Sequence, residues 1–386
     1  MTVRLQPPRL AAVISSLLLV LALGLLAACN GSSSSNQTTK YIAVADTANN
    51  RVVVYSSPFS NGQQATGVLG QSGFGTRSSD LTASGMNDPW TVAEDSAGNL
   101  YVSDTSFNRV LQFKPPFSNG MDASAAIGQP DLITGDFNTS KNGFNRPGGL
   151  AFDKSGNLWV ADYLNCRVLE FQPPFATNMD ASLVIGQSNF TSNICSHGTS
   201  ALKFDTALAF DSSGNLWVAD TGNNRVLEFQ PPFSNGMAAS IVIGQADFTS
   251  AVGRLTEDGF SGPFSIAIDG SGNLWVGDVS NGRVLEFKPP FSNGMNASLV
   301  LGQPDFTTTS SQISQSSVGH PFGVAFDAAG NLWVADAVNS RTLEFMPPFK
   351  TNQNASVVLG QTDFTSSVSA TSVTGQDSPN GVSAVF

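Results

Sequence analysis

The chain has 386 residues, of which 41% are hydrophobic and 12% are charged, and its formal net charge is −11. This length is sufficient to bury a large core as one or two domains. Nucleic-acid affinity comes mainly from Lys and Arg on phosphates, so an acidic chain predicts no nucleic-acid partner. The same charge disfavours electrostatic docking on anionic lipid.

The N-terminus has the pattern of a targeting segment. Arg4 and Arg9 precede an apolar run, residues 11–26, that is too short for a comfortable membrane span. The run ends in Leu26-Ala27-Ala28-Cys29, which resembles the bacterial lipobox. In that family the signal peptidase cuts before the cysteine, which is then acylated. The resemblance implies a signal peptide over 1–28 and lipidation at Cys29; an ordinary secretory signal with a chance cysteine is the alternative.

Residues 29–39 are polar and rich in serine, which predicts a flexible tether after the acylated cysteine. Several acyl chains on one residue anchor a protein stably in a lipid bilayer, where a single chain is marginal. Asn30 resembles the residue found there in the outer-membrane class of Gram-negative lipoproteins. We therefore expect an exported protein, lipid-anchored in the cell envelope, at the outer membrane or periplasmic face if the host is Gram-negative.

A repeat with a fixed step of 58 residues runs through the rest of the chain, as from Asp46 to Asp104. Each copy has an Asp, an Arg five residues later and a Gly-Gln pair further on. The Asp–Arg pairs are Asp46 and Arg51, Asp104 and Arg109, Asp162 and Arg167, Asp220 and Arg225, Asp278 and Arg283, and Asp336 and Arg341. A fixed period of this size indicates a solenoid or a propeller.

One unit contains four predicted strands separated by turns rich in Asp, Asn and Gly: 149–153, 157–162, 167–171 and 181–186. The last unit, from Pro379, has a first strand and no second, whereas the first unit lacks a first strand. A C-terminal strand that completes the N-terminal blade would close a ring. We predict an all-β fold over 40–386: a six-bladed β-propeller of four-stranded antiparallel blades.

The run Asp220-Thr221-Gly222-Asn223-Asn224-Arg225-Val226, which follows an apolar strand, resembles the NHL repeat, and similar runs cover essentially all of 40–386. The unit is longer than is usual for that family. Six copies of one Asp–Arg arrangement indicate blade architecture, since a catalytic site needs asymmetry. Trp159 and its equivalents on the second strand are expected to pack between blades.

Strand alternation places the turn between the second and third strands on the same face as the long loop between blades. Irregular loops on a rigid scaffold commonly carry binding, so this face is the predicted binding face.

Catalytic signals are sparse. His197 and His320 are the two histidines, and no metal-binding spacing accompanies them. Calcium-dependent lactonases with a similar fold place carboxylates in the central channel. Here Glu94 stands on an inner strand where other repeats have Phe152 or Ile268, so it is a possible channel carboxylate or a structural exception. We assign no catalytic residue, metal site or cofactor; a divalent metal enters only if the protein is an enzyme.

Cys166 stands in the turn of one repeat, and Cys195 lies in the following long loop on the same face. In an exported protein this favours a Cys166–Cys195 disulfide, with two free thiols as the alternative.

The sequence thus predicts a lipid-anchored propeller that binds a protein, peptide or glycan on the face of the long loops. A metal-dependent lactonase or lyase acting at the channel mouth is the first alternative, and a structural envelope component is the second.

Overall fold

The computed structural model describes residues 41–385. The predicted signal peptide, Cys29 and the tether lie outside these residues. Within them, no helix is both long and apolar enough to cross a membrane.

Six four-stranded antiparallel sheets form the blades, which we number in chain order, with strands a to d from the channel outward. The bounds, in the order a to d, are as follows. Blade 1 contains β24 (Pro379–Val385), β1 (Tyr41–Asp46), β2 (Arg51–Ser56) and β3 (Gly67–Leu69). Blade 2 contains β4 (Pro89–Glu94), β5 (Leu100–Asp104), β6 (Arg109–Phe113) and β7 (Ala125–Ile127). Blade 3 contains β8 (Pro147–Phe152), β9 (Leu158–Asp162), β10 (Arg167–Phe171) and β11 (Leu183–Ile185). Blade 4 contains β12 (Asp205–Phe210), β13 (Leu216–Asp220), β14 (Arg225–Phe229) and β15 (Ile241–Ile243). Blade 5 contains β16 (Pro263–Ile268), β17 (Leu274–Asp278), β18 (Arg283–Phe287) and β19 (Leu299–Leu301). Blade 6 contains β20 (Pro321–Phe326), β21 (Leu332–Asp336), β22 (Arg341–Phe345) and β23 (Val357–Leu359).

A one-turn 3₁₀ helix joins strands b and c in every blade: Thr47–Asn49, Thr105–Phe107, Tyr163–Asn165, Thr221–Asn223, Val279–Asn281 and Ala337–Asn339.

The ring closes as predicted. Strand β24 pairs antiparallel with β1, with Tyr41 opposite Val385 and Val44 opposite Val382. Each inner strand also contacts the inner strand of the next blade, including β24 with β4. The first and last segments of the described chain therefore share one sheet, and β1 is paired along both of its edges. The six-bladed propeller is confirmed.

In blade 3, strand c agrees with the prediction, strand b starts one residue later than predicted, and strands a and d differ at both ends. Strand a of blade 3 starts at Pro147, two residues early, because a proline is tolerated as the first residue of a strand, where no ladder donor is needed. Strand d is shorter than predicted and spans Leu183–Ile185. It stops before Gly186, whose φ of 86° is outside the range of extended backbone.

Tryptophans of strand b pack between blades, as expected. The ring of Trp159 in blade 3 is fully buried and lies 4.9 Å from Phe233 and 5.6 Å from Phe210, both of blade 4. Its indole Nε1 donates to Asp153 Oδ2 at 3.1 Å, so its one polar atom is paired. Loss of such a buried aromatic costs about 3–5 kcal/mol, which makes this contact a major link between blades.

Candidate functional site

Every b–c turn is held by a fully buried Asp–Arg pair. The Arg Nε lies 2.6 to 2.9 Å from Asp Oδ2 in all six blades, and both side chains have no exposed surface. Burial raises the pKa of Asp278 to about 6, while Arg283 and the hydrogen bonds from Ser261 N and Asn281 lower it. The Asp278–Arg283 pair is therefore ionised at pH 7.

Each arginine also holds two long loops. In blade 4, Arg225 Nη1 donates to the carbonyl of Phe248, in the loop that leaves the blade. Its Nη2 donates to Gly198 O at 3.0 Å and Ala201 O at 3.1 Å, in the loop that enters the blade. The planar guanidinium has five donors in a fixed fork, which suits this multiple role. The loops on this face are thus fixed by the blade cores.

We call this surface the d–a face. It consists of the six 3₁₀ turns and the six loops between blades, 70–88, 128–146, 186–204, 244–262, 302–320 and 360–378. The a–b turns and the Pro-Pro-Phe connections lie on the opposite face, since strand directions alternate within each blade.

An aromatic cluster crosses the channel axis at the end near the d–a face. We call it the axial cluster; it consists of Trp90, Tyr163, Phe204, Phe264 and Phe322. Trp90 of blade 2 lies 5.5 Å from Phe264 of blade 5, on the opposite side of the ring. Phe264 in turn meets Phe322 edge-on at 4.5 Å. All five side chains are partly exposed, so the cluster presents aromatic surface to solvent.

A partly exposed ion pair borders the cluster. Arg146 Nη2 lies 2.6 Å from Asp88 Oδ2, and the guanidinium carbon lies 5.4 Å from the centre of the Trp90 ring. Ser106 Oγ also donates to Asp88, at 3.1 Å. A cation over an indole face is a favourable electrostatic contact that fixes both groups. The mouth of the channel therefore combines an aromatic surface with charged groups at its edge.

Asp205 is the unusual residue beneath this surface. It starts strand a of blade 4, where the other five blades have proline. Both carboxyl oxygens are buried and have no hydrogen-bond partner in the described part of the chain. Burial raises the pKa of Asp205 well above its ordinary range, and Asp162 and Asp220 raise it further. Such a group is costly unless protonated, so we infer that Asp205 is neutral in the folded protein.

The channel forms a cavity of about 340 Å³ between the inner strands. Phe264 and Phe322 line it at the d–a end, and Glu94, Phe152 and Phe326 line it at the other end. Glu94 is the one acidic or basic residue in this lining. Burial, together with the negative charge of Asp95, raises the pKa of Glu94 to about 7. The structure thus places Glu94 in the channel, at the end away from the d–a face.

The histidines are far from Glu94 in the fold. His197 and His320 are both exposed in loops of the d–a face. Within residues 41–385, no three His, Cys, Asp or Glu side chains are grouped as a metal ion would require. The cluster of carboxylates that would favour the enzyme alternative is therefore not found in this part of the chain.

Exposed apolar side chains are concentrated on the d–a face. Seven large hydrophobic residues are highly exposed in the described chain, and Met346 alone of these lies on the opposite face. The other six belong to d–a loops or turns: Ile133, Phe137, Ile194, Val252, Val338 and Val368.

Cys166 and Cys195 are brought together, with Cα atoms 5.3 Å apart and the sulfur atoms in direct contact. Cys166 has a φ of 50°, at a turn position where three other blades have Asn and one has Gly. In blade 4 the equivalent Asn224 donates from its side chain to the carbonyl of Ala251 in the next loop. The cysteine pair therefore replaces a hydrogen bond between turn and loop.

The axial cluster, Arg146, Asp88 and Asp205 were not predicted from the sequence. The sequence feature that could have identified these residues is that they differ from the residues at the equivalent positions of the other repeats. At one position the six copies have Trp90, Gly148, Thr206, Phe264, Phe322 and Asn380, although their neighbours repeat closely. Residues that break a repeat at the axis are candidates for function, because the architecture does not require them.

The NHL repeat model matches residues 144–171 and 206–229. These two matches fall in blades 3 and 4 of the six-bladed β-propeller. No curated protein matches the sequence.

Three solved structures align with this chain at low sequence identity. A protein of unknown function from Bacteroides caccae aligns with a TM-score of 0.54 and 9% identity, over 90% of this chain and 99% of that chain. A catalytically inactive variant of virginiamycin B lyase from Staphylococcus aureus, solved with quinupristin, aligns with a TM-score of 0.45 and 12% identity, over 81% of this chain and 83% of that chain. A lactonase-like protein from Bacteroides uniformis aligns with a TM-score of 0.48 and 14% identity, over 91% of this chain and 86% of that chain.

We predict that the Cys166–Cys195 disulfide forms when the protein is exported. It closes a loop with a sequence separation of 29 residues, which should stabilise the fold by about 3–4 kcal/mol. Mass spectrometry of the non-reduced protein should show the linked peptides, and reductant should lower the melting temperature. The control is Cys166→Ser/Cys195→Ser, since Ser340 and Ser369 make a 3.0 Å hydrogen bond at the equivalent positions of blade 6. Free thiols at both positions would refute the disulfide.

We also predict a pH-dependent contribution of Glu94 to stability. Its raised pKa means that the folded state favours the protonated form, so this stability is present below pH 4.5 and is lost as the pH rises through about 7. Glu94→Gln keeps the neutral shape at every pH. Denaturant unfolding at pH 4.5 and 8 should show the wild type losing on the order of 1 kcal/mol relative to this variant, after allowance for screening of a half-exposed group. Parallel pH profiles would contradict the burial of Glu94.

Proposed function

We propose that the protein is an exported, lipid-anchored scaffold that binds a protein, peptide or glycan partner on the d–a face. The observation that carries the proposal is that, among residues 41–385, six of the seven highly exposed large hydrophobic residues lie on this face. Single exposed apolar residues are normal, but their concentration on one side, around an aromatic cluster, is typical of an interaction surface. Aromatic and Arg side chains commonly dominate binding energy, and Trp90 and Arg146 are such residues.

Anchoring rests on the sequence alone. Acylation of Cys29 and the polar tether would hold the propeller at a bilayer while leaving the d–a face free to meet a partner. The acidic charge continues to argue against nucleic acid as that partner.

The first alternative, a metal-dependent lactonase or lyase, is favoured by one observation. Glu94 lies in the channel with a pKa of about 7, a value suited to a general base. A divalent metal would be the cofactor under this alternative only. The second alternative, a structural envelope component, gives no reason for repeat-breaking aromatic residues to meet at the axis.

Photo-crosslinking tests which face binds. The photoreactive residue p-benzoylphenylalanine would replace Phe137, which is 72% exposed on the d–a face, and in a matched protein Met346, which is 50% exposed on the opposite face. Irradiation of cells that produce each protein should give a discrete adduct from position 137 and none from position 346. Adducts from position 346 alone, or equal adducts from both, would overturn the proposed face.

The same experiment tests the anchor when the cells are fractionated. The adduct from the protein with native Cys29 should be found with membranes, and Cys29→Ser should release it to the soluble fraction. A wild type that is soluble, or a variant that stays with membranes, would refute lipidation.

A further inference from the structure

A second cavity opens on the d–a face between blades 5 and 6. It has a volume of about 360 Å³ and adjoins the axial cluster through His320, whose ring lies 6.0 Å from that of Phe322. This volume is within the range of small-molecule pockets. We call it the interblade pocket; Ser280, Gly282, Ser311, Gln312, His320 and Asn339 are among its lining residues.

The pocket lies beside the d–a loop 302–320, which lacks two side-chain hydrogen bonds that other d–a loops make with the 3₁₀ turns. We call these two hydrogen bonds the ties of a loop. The first tie is the side chain that follows the 3₁₀ turn. Asn50, Asn108 and Asn224 donate from this position to the next loop, at the carbonyls of Arg77, Gly135 and Ala251. Blade 5 has Gly282 instead, which cannot make the bond.

The second tie is the last residue of the 3₁₀ turn, which donates back to the preceding loop. Asn49, Asn165, Asn223 and Asn281 bond the carbonyls of Ala370, Asn138, Ser196 and Arg254. The corresponding Asn339 donates to Asp336 but makes no bond to Gln312. Each of the other five loops keeps at least one of these two hydrogen bonds, whereas residues 309–312 have neither, and a cavity lies between them and the turns.

The lining of this pocket is mostly polar. It contains no Asp, Glu, Lys or Arg, and Val318 and Val338 are its only large apolar residues. The hydroxyls of Ser280, Thr309 and Ser311 and the side-chain amide of Gln312 have no hydrogen-bond partner among residues 41–385, and neither does Asn339 Oδ1. A ligand that enters must pair these groups, or their lost hydration opposes binding.

We propose that the interblade pocket binds a neutral sugar residue of an oligosaccharide whose adjoining residue lies against the axial cluster. Sugar hydroxyls both donate and accept hydrogen bonds, which matches a lining of hydroxyl and amide groups. Because the lining has no Asp, Glu, Lys or Arg, it offers no carboxylate, ammonium or guanidinium partner to a charged ligand. The apolar face of a sugar ring suits the exposed aromatic surface of Phe322 and Trp90. This assignment rests on the proposed function and selects the glycan among its three partners.

A peptide fits the same features less well. Peptide recognition commonly uses a free sheet edge, an apolar groove or a charged cluster. The pocket is formed by turns and a loop and contains none of these.

The test uses an array of neutral and acidic oligosaccharides, followed by calorimetric titration of the bound compounds. Ser311→Val/Gln312→Leu removes two polar groups from the pocket. Its matched control is Ser79→Val/Asp80→Leu, which changes the equivalent exposed positions of the loop between blades 1 and 2. The full chain should bind a defined set of neutral glycans. The pocket variant should bind them at least tenfold more weakly, and the control should bind as the wild type does.

Tryptophan fluorescence gives a second readout. Four of the five tryptophans are fully buried, so Trp90 is the one that a ligand on the axial cluster can shield from acrylamide. Neutral glycans that bind should lower its quenching in the wild type and in the control.

The outcomes separate the two proposals. If no neutral glycan binds, or only acidic ones do, while the crosslinker at position 137 still captures a protein or peptide partner, the sugar assignment is overturned and the binding face stands. Equal binding by the pocket variant and the wild type also overturns the sugar assignment. Failure of both glycan binding and crosslinking overturns both proposals.

Discussion

The rest of the structure depends on the buried Asp–Arg pair of each blade. A carboxylate and a guanidinium with no exposed surface are tolerated because each satisfies the other and the surrounding backbone. Removal of one partner from such a pair costs about 3–5 kcal/mol, since the remaining charge stays buried. The arginine uses its remaining donors on carbonyls of two loops, so one side chain links a turn, the loop that enters its blade and the loop that leaves it. Six such links hold the d–a face.

This arrangement separates architecture from function along the repeat. Contacts that recur every 58 residues, such as the Asp–Arg pairs and the Trp–Phe packing between blades, build the ring. Positions that the ring does not require can differ between repeats, and these positions are available for binding. The axial cluster, Asp205 and the segment 309–312, which lacks the two side-chain hydrogen bonds to the turns, are all departures from the repeat, and all lie on or directly beneath one face. A rigid repeated base with a variable surface is a common basis for recognition.

The sequence was sufficient for the fold because the fold repeats. The Asp and Arg positions, the unpaired first strand at Pro379 and the alternation of strand directions together predict six closed blades. The same alternation places Cys166 and Cys195 on one face. Trp90 and Phe264 could not be paired in this way, since they belong to opposite blades and meet only because the ring has a narrow axis. The interblade pocket at 309–312 depends on the absence of two hydrogen bonds. This absence is recognised only when Gly282 and Asn339 are compared with the equivalent residues of the other blades, whose hydrogen bonds are known from the structure.

Hydrogen exchange of an Arg225→Lys variant tests most directly whether the buried pairs hold the d–a face. Lysine keeps the charge but lacks the planar fork, so it cannot bond two loops at once. The account predicts faster exchange in loops 186–204 and 244–262, including the Lys203 amide that donates to Asp220 at 2.7 Å. Strands of blades 1, 2 and 6 should exchange as in the wild type. Unchanged exchange in both loops would contradict the account.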